Sequence, residues 1–213
     1  MNPERTPTLS RAEYESGLAG LVGRRVLEVR YWDIRYFNGE PRIWDYGDWQ
    51  QAVMGVELLT DFGPCCVLWT STFFCYGIEV LDTPMADHLD TSANMFESWG
   101  AGGSNRWRDR LRTPVTGVQA HWERISVGPA YRGDVQVADA YQVDVPVALR
   151  IDFAAGPVWM IAALPPDSDG EQVFIGGDEV LVVFTAERLR QFGFPDTSFL
   201  SSDVSRGHSE TTG

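Results

Sequence analysis

The chain repeats itself, and that repetition constrains its fold more than any other feature of the sequence. Val26 to Ile34, VLEVRYWDI, is echoed by VTGVQAHWERI from Val115. VELLTDFGPCCVLW from Val56 is echoed by VALRIDFAAGPVWMIA from Val147, and Gly77-Ile78-Glu79-Val80-Leu81 by Gly177-Asp178-Glu179-Val180-Leu181. Segments that recur in one order, at spacings that drift as loop insertions make them drift, predict a duplicated unit.

Each unit reads as strand, long loop, strand, tight turn, strand, loop, strand, helix. The turns are Asp61-Phe62-Gly63-Pro64 and Asp152-Phe153-Ala154-Ala155-Gly156-Pro157, where Asp, Gly and Pro separate β-branched and aromatic runs. Thr83 before Pro84 predicts an N-cap for a helix running to about Ser98, and Thr185 before AERLRQF predicts its counterpart, closed by Gly193. Ser10-Arg11-Ala12-Glu13 has capping-box spacing, so a further helix opens the chain. The expected organisation is an N-terminal helix (1–23), a first β-rich unit with its helix (24–100), a Gly/Arg-rich connector (101–112), a second unit (113–194) and a disordered tail (195–213). The expected fold class is α+β: internally duplicated antiparallel β-sheet units about a pseudo-twofold, with peripheral helices. The alternative is one continuous sheet or barrel shared by both units.

Composition narrows the function classes. Acidic residues number 30 against 17 basic ones, all of them Arg, for a net charge of −13. Such a field repels nucleic acid and anionic membrane and steers a basic partner inward. The complete absence of Lys is read as a mark of a GC-rich genome rather than as a physical requirement. MNPERTPTLS lacks the apolar run of a signal peptide, and no apolar run approaches the roughly 18 residues of a membrane helix. Three cysteines, two of them adjacent, suit a reducing cytoplasm.

Catalytic constellations are weak throughout. Cys65, Cys66 or Cys75 would need His88 or His121 as a base, and no local motif joins them. Two structural thiols and one loop thiol are the simpler reading. Cys spacing fits no zinc pattern, Asp87-His88-Leu89-Asp90 sets its His about 100° from Asp87 on a helix, and Asp167-Ser168-Asp169-Gly170-Glu171 is only a fragment of a calcium loop. WGAGGSN, from Trp99, lacks the Lys of a phosphate loop and reads as a hinge. RWRDRLR, from Arg106, would place four Arg on one face of an extended segment, where pairing with the protein's own carboxylates is favoured over an anionic ligand. No metal or cofactor is expected, and no catalytic residue is assigned.

The stretch from Tyr31 to Gln50 packs seven aromatic rings among charges, Gly and Pro. Asn38-Gly39 and Pro41 argue against a regular strand, so Tyr36, Phe37, Trp44, Tyr46 and Trp49, with Arg42, form a candidate recognition loop. The competing reading is a mini-core shielding its own rings. Function therefore divides two ways. The first is a non-enzymatic, acidic, cytoplasmic binding protein, monomer or homodimer, taking a protein or peptide partner; in general character it is similar to immunity proteins, the small acidic inhibitors that plug a bacterial toxin's basic active site. The second is an enzyme or ligand carrier with a pocket between the units, lined by Trp32, His121, Trp122, Arg30 and Arg124.

Overall fold

The computed structural model describes residues 9–35, 44–73, 76–90, 95–166 and 173–199. Helix α1 (Arg11–Ala19) carries the capping box its sequence predicts: Ser10 Oγ accepts from the Glu13 amide at 3.2 Å, and Glu13 Oε2 accepts from the Ser10 amide at 2.8 Å. Its Tyr14 and Leu18 are buried, with Tyr14 edge-on to Trp122 and Phe73.

Strands follow in the order β1 (Val26–Ile34), β2 (Trp44–Asp45), β3 (Trp49–Ala52), β4 (Gly55–Thr60), β5 (Gly63–Thr70), β6 (Gly77–Leu81) and β7 (Phe96–Gly100). After α2 (Asn105–Arg108) come β8 (Val115–Val127), β9 (Ala130–Arg132), β10 (Val135–Ala138), β11 (Tyr141–Phe153), β12 (Val158–Leu164) and β13 (Phe174–Val183), then α3 (Ala186–Gln191). One sheet runs β6-β5-β4-β1-β7 and a second β2-β3-β13-β12-β11-β8; β9 and β10 form a separate ribbon. Among the described residues every strand pairing is antiparallel. The architecture is mainly β with small helical parts: the antiparallel sheets expected are present, and the helices beside them are few and short.

Among the described residues from Thr83 to Ser98 the expected α-helix does not form. Met85–Asp87 forms a single 3₁₀ turn, pinned where the Met85 amide donates to Glu57 Oε1 at 3.0 Å. Phe96 to Gly100 instead pairs with β1, Trp99 opposite Tyr31 and Glu97 opposite Asp33. The physical reason is tertiary: β1 offers an open edge, and an alternating Phe-Glu-Ser-Trp run satisfies its backbone groups better as a strand than as a solvated helix.

Both sheets contribute to one core, with Val29, Tyr31, Val56, Leu58, Val67 and Ile78 from the first and Leu149, Ile151, Met160, Ile161 and Val180 to Val183 from the second. The sheets pack tightly at Gly77, where an added Cβ would lie 3.0 Å from Val145 Cγ1. The β2–β3 hairpin comes from the first half of the chain yet extends the second sheet, with Trp49 opposite Val183 and Gln51 opposite Leu181. Tyr31 holds this crossing: its hydroxyl donates to Gln50 Oε1 at 2.8 Å and accepts from Trp107 Nε1 at 2.9 Å.

The Arg-rich connector is not extended. Residues 105–108 are helical and Trp107 is fully buried against Phe153 and Phe184. Arg110 donates to the carbonyls of Gly156 and Pro157, and Arg106 to that of Gly47. These two Arg thus close turns through backbone carbonyls instead of the carboxylates expected. Among the described residues no helix is long and apolar enough to cross a membrane.

Candidate functional site

Buried acids gather where β1 ends. Asp33 shares the inward parity of Val29 and Tyr31, so its carboxylate is carried into the protein and is 1% exposed. Its Oδ2 accepts from Trp44 Nε1 at 2.9 Å and its Oδ1 from the Ile34 amide at 2.7 Å. Trp44 in β2 lies opposite Gln51 in β3, and Gln51 Nε2 donates to Glu179 Oε2 at 2.6 Å. Two hydrogen-bonded pairs on neighbouring strands thus link the first sheet's Asp33 to the second sheet's Glu179.

Glu179 occupies an irregularity in β13. Val180 pairs with Ala162, but the next pair is Ile175 with Ala163, so Gly176 to Glu179 stand outside the ladder. Bulges of this kind re-aim side chains beside functional sites. Gly176 supplies a φ of 81°, and Gly177 lies so close to β12 that an added Cβ would be 2.3 Å from the Leu164 amide nitrogen. Burial raises the Glu179 carboxyl from its ordinary 4.5 to about 7; Asp178 and Asp33 add to the rise, and the Gln51 hydrogen bond opposes it. The folded state's preference for the protonated form is fully present below about pH 4.5 and is lost as pH rises through about 7. Stability is therefore expected to fall from pH 4.5 to 7 more steeply in the native protein than in Glu179→Gln, as read from thermal midpoints across that range. Parallel curves would mean that Glu179 ionises as an ordinary solvated carboxyl.

On β7, Glu97 faces Asp33 across the ladder, and its side chain is only 8% exposed. Glu97 Oε2 lies 3.6 Å from Arg35 Nε, an ion pair beyond hydrogen-bonding distance. Glu97 Oε1 is buried with no hydrogen-bond partner, as is Trp99 Nε1 two residues on. Ile34 and Met95 are exposed apolar side chains at the same end of the β1–β7 pair.

The aromatic residues of the candidate recognition loop separate. Trp49 is a β3 core residue, 6% exposed, edge-on to Phe192 and stacked beneath Tyr46 with ring centroids 4.0 Å apart. Its place at an exposed loop is corrected: the hairpin docks on β13, and the ring fills the space that docking closes. Trp44 is half-buried, whereas Tyr46 is exposed. Tyr36, Phe37 and Arg42 lie outside the described residues.

The five residues of the alternative pocket divide between the two sheets, and only Trp32 and Arg30 share a partner, Glu57. Trp32 Nε1 donates to Glu57 Oε2 at 3.4 Å, and Arg30 Nε to Glu28 Oε1 at 2.7 Å, both on the first sheet. His121 sits on β8 with Nδ1 2.9 Å from the Ser198 carbonyl and its ring against Phe194. Trp122 turns to the other face, under the Arg11 guanidinium and against Tyr14. Arg124 pairs with Asp144 at 2.8 Å.

Cys65 and Cys66 are free and buried, and burial pushes each thiol up to about 12. Thr83 Oγ1 is 2.7 Å from His88 Nε2, and the Thr83 side chain also bonds Cys66. A thiol held protonated in this way is a poor nucleophile. Cys75 and the Asp167–Glu171 segment lie outside the described residues. Among those described, no three His, Cys, Asp or Glu side chains group as a metal would need.

Sequence reasoning missed Glu97 and Gln51 altogether and saw Glu179 only as part of an echo. Asp33 did leave a signal, as an acid at the inward parity of β1. No family model matches the chain, and comparisons with curated proteins and with solved structures return no match.

Proposed function

We propose that this protein is a non-catalytic binding protein that takes a basic protein or peptide partner on the acidic end built by β1, β7, the β2–β3 hairpin and the β13 irregularity. The observation that carries this reading is the gathering of Asp33, Glu97, Asp178 and Glu179 beside the exposed Tyr46 ring. Carboxylates supply steering and register, and rings supply contact area. The chain's net charge of −13 acts in the same direction at longer range. An inhibitor plugging a basic active site in a bacterial cytoplasm, as a monomer or homodimer, is the form we favour.

Duplication belongs to the same proposal. The order β1-β4-β5-β6 has a counterpart in β8-β11-β12-β13. Supporting it, Leu81, Cys66 and Glu57 share one cross-strand row and Leu181, Ile161 and Ala148 another, which matches Glu57 to Ala148 and Leu81 to Leu181 as those echoes require. Against it, the Gly-Pro turn of the second echo is out of step, since Gly63-Pro64 laid on Gly156-Pro157 would set Cys66 on Trp159 rather than Ile161. The first echo falls two residues out of step, since Arg30 occupies the row position of His121 rather than Gln119. We read β2–β3 and β7 as later additions, and the acidic end as built largely from them.

The test is a titration of the full chain with an Arg/Lys-rich peptide and with its Glu-substituted counterpart, followed by amide chemical shifts. The basic peptide alone is expected to bind, with shifts at Tyr46, Gln51 and Glu179, and the double variant Asp178→Asn, Glu179→Gln is expected to bind roughly tenfold more weakly. Equal binding of both peptides, or shifts confined to β9 and β10, would overturn the reading. A second reading, a small-molecule enzyme with Glu179 as general acid beside Asp33, rests on the raised carboxyl alone.

A further inference from the structure

We propose that Glu97 is the floor of a slot for one arginine side chain of the partner, and that Arg35 stands at its mouth in the free protein as an internal competitor. The inference deepens the basic-partner reading and rests on it. Glu97 and Trp99 lie opposite Asp33 and Tyr31 in the β1–β7 ladder, so all four side chains share one face of the first sheet. The Glu97 side chain is 8% exposed and Trp99 9%. Glu97 Oε1 is an acceptor without a donor, and Trp99 Nε1 is a donor without an acceptor.

Buried polar groups are normally hydrogen-bonded, and a buried carboxylate needs a cation or several donors. Arg35 does not meet that need: its Nε is 3.6 Å from Oε2, and its side chain is 42% exposed. A planar guanidinium offers a fork of N–H donors matched to a carboxylate, which an ammonium does not. The orphan Trp99 N–H asks for an acceptor on the same ligand. An arginine residue in a peptide carries both, as guanidinium and main-chain carbonyl.

Arg35 makes the proposal sharp because the two obvious variants should move in opposite directions. The probes are N-acetyl-arginine amide, the lysine analogue and the neutral citrulline analogue, titrated into the full chain while the Trp99 indole N–H resonance is followed. The arginine probe is expected to shift that resonance and to bind more tightly than the lysine probe; citrulline should not bind. Glu97→Gln is expected to weaken the arginine probe at least about tenfold, and Arg35→Ala to tighten it about threefold. A merely structural Arg35 would give unchanged or weaker binding, and either result overturns the proposal. So does a Trp99 resonance indifferent to all three probes, the result expected if a water molecule bridges Glu97 and Trp99. If Glu97→Gln does not fold, the sign of the Arg35→Ala effect decides the matter. Should the basic peptide still bind through Asp178 and Glu179 while Glu97→Gln binds arginine normally, the slot is wrong and the basic-partner reading stands. If neither binds, that reading has failed first.

Discussion

Replacing Trp49 by alanine is expected to lower the thermal midpoint by about 10 °C. Removing a buried Trp costs about 3–5 kcal/mol, and for a chain of this size each kcal/mol moves the midpoint roughly 2–4 °C. The environment of Trp49 places it in that class. It is 6% exposed, lies opposite Val183 in the second sheet and meets Phe192 edge-on. Tyr46 stacks on it, and the Tyr46 amide donates to its carbonyl at 3.0 Å. The consequence reaches the acidic end, because β3 also carries Gln51 to Glu179. Tyr46→Ala, at an exposed ring, should cost far less stability and act mainly on partner binding. Calorimetry of both variants checks this; a Trp49→Ala midpoint within about 2 °C of the native protein would return the ring to the surface.

The contrast between these rings shows which parts of the molecule the sequence made legible. Strands β1, β4, β5, β6, β8, β11, β12 and β13 all fall on segments whose alternation and turn chemistry announce them, and the Ser10–Glu13 capping box is wholly local. Features set by distant partners were hidden. Thr83-Pro84 has the form of a helix start, yet Glu57 takes the Met85 amide and the open edge of β1 takes Phe96 to Gly100. Local propensity lost to an unsatisfied sheet edge. Trp49 was hidden for the same reason, since nothing near it in sequence says that β13 will present Val183 to it.

The acidic end was legible only in fragments. Asp33 could be read, because a strict alternation through Val29 and Tyr31 carries it inward. Glu97 could not, because its burial depends on β7 being a strand. Glu179 appeared to match Glu79, but Glu79 is paired with Leu68 in a regular ladder whereas Glu179 stands in an irregularity. The same Gly-x-Glu-Val-Leu pattern therefore serves two backbone paths, and the difference lies in Gly176 before it.

That difference yields the second large expected effect, in Gly177→Ala. A Cβ at this position would lie 2.3 Å from the Leu164 nitrogen, 2.7 Å from the Ala163 carbonyl carbon and 2.8 Å from Leu164 Cγ. Two of these atoms are backbone in β12, so no side-chain rotation relieves the overlap. Either β12 yields near its end, where Leu164 pairs with Phe174, or the irregularity moves outward and takes Glu179 from Gln51. The cost is expected to be about 2–4 kcal/mol, the range of other substitutions that force a packed backbone to shift. Gly176 is the control: nothing lies within 4 Å of an added Cβ, and asparagine tolerates a φ of 81° better than other side chains, so Gly176→Asn should carry backbone strain alone and cost less than Gly177→Ala. The two variants also differ in the titration of Glu179. In Gly177→Ala the carboxyl, drawn toward solvent, should fall from about 7 toward its ordinary 4.5, whereas in Gly176→Asn it should stay high. Side-chain NMR titration alongside thermal unfolding tests both parts at once. A stable Gly177→Ala protein with Glu179 still near 7 would mean that β13 does not approach β12 so closely and that some other feature holds Glu179 at the acidic end.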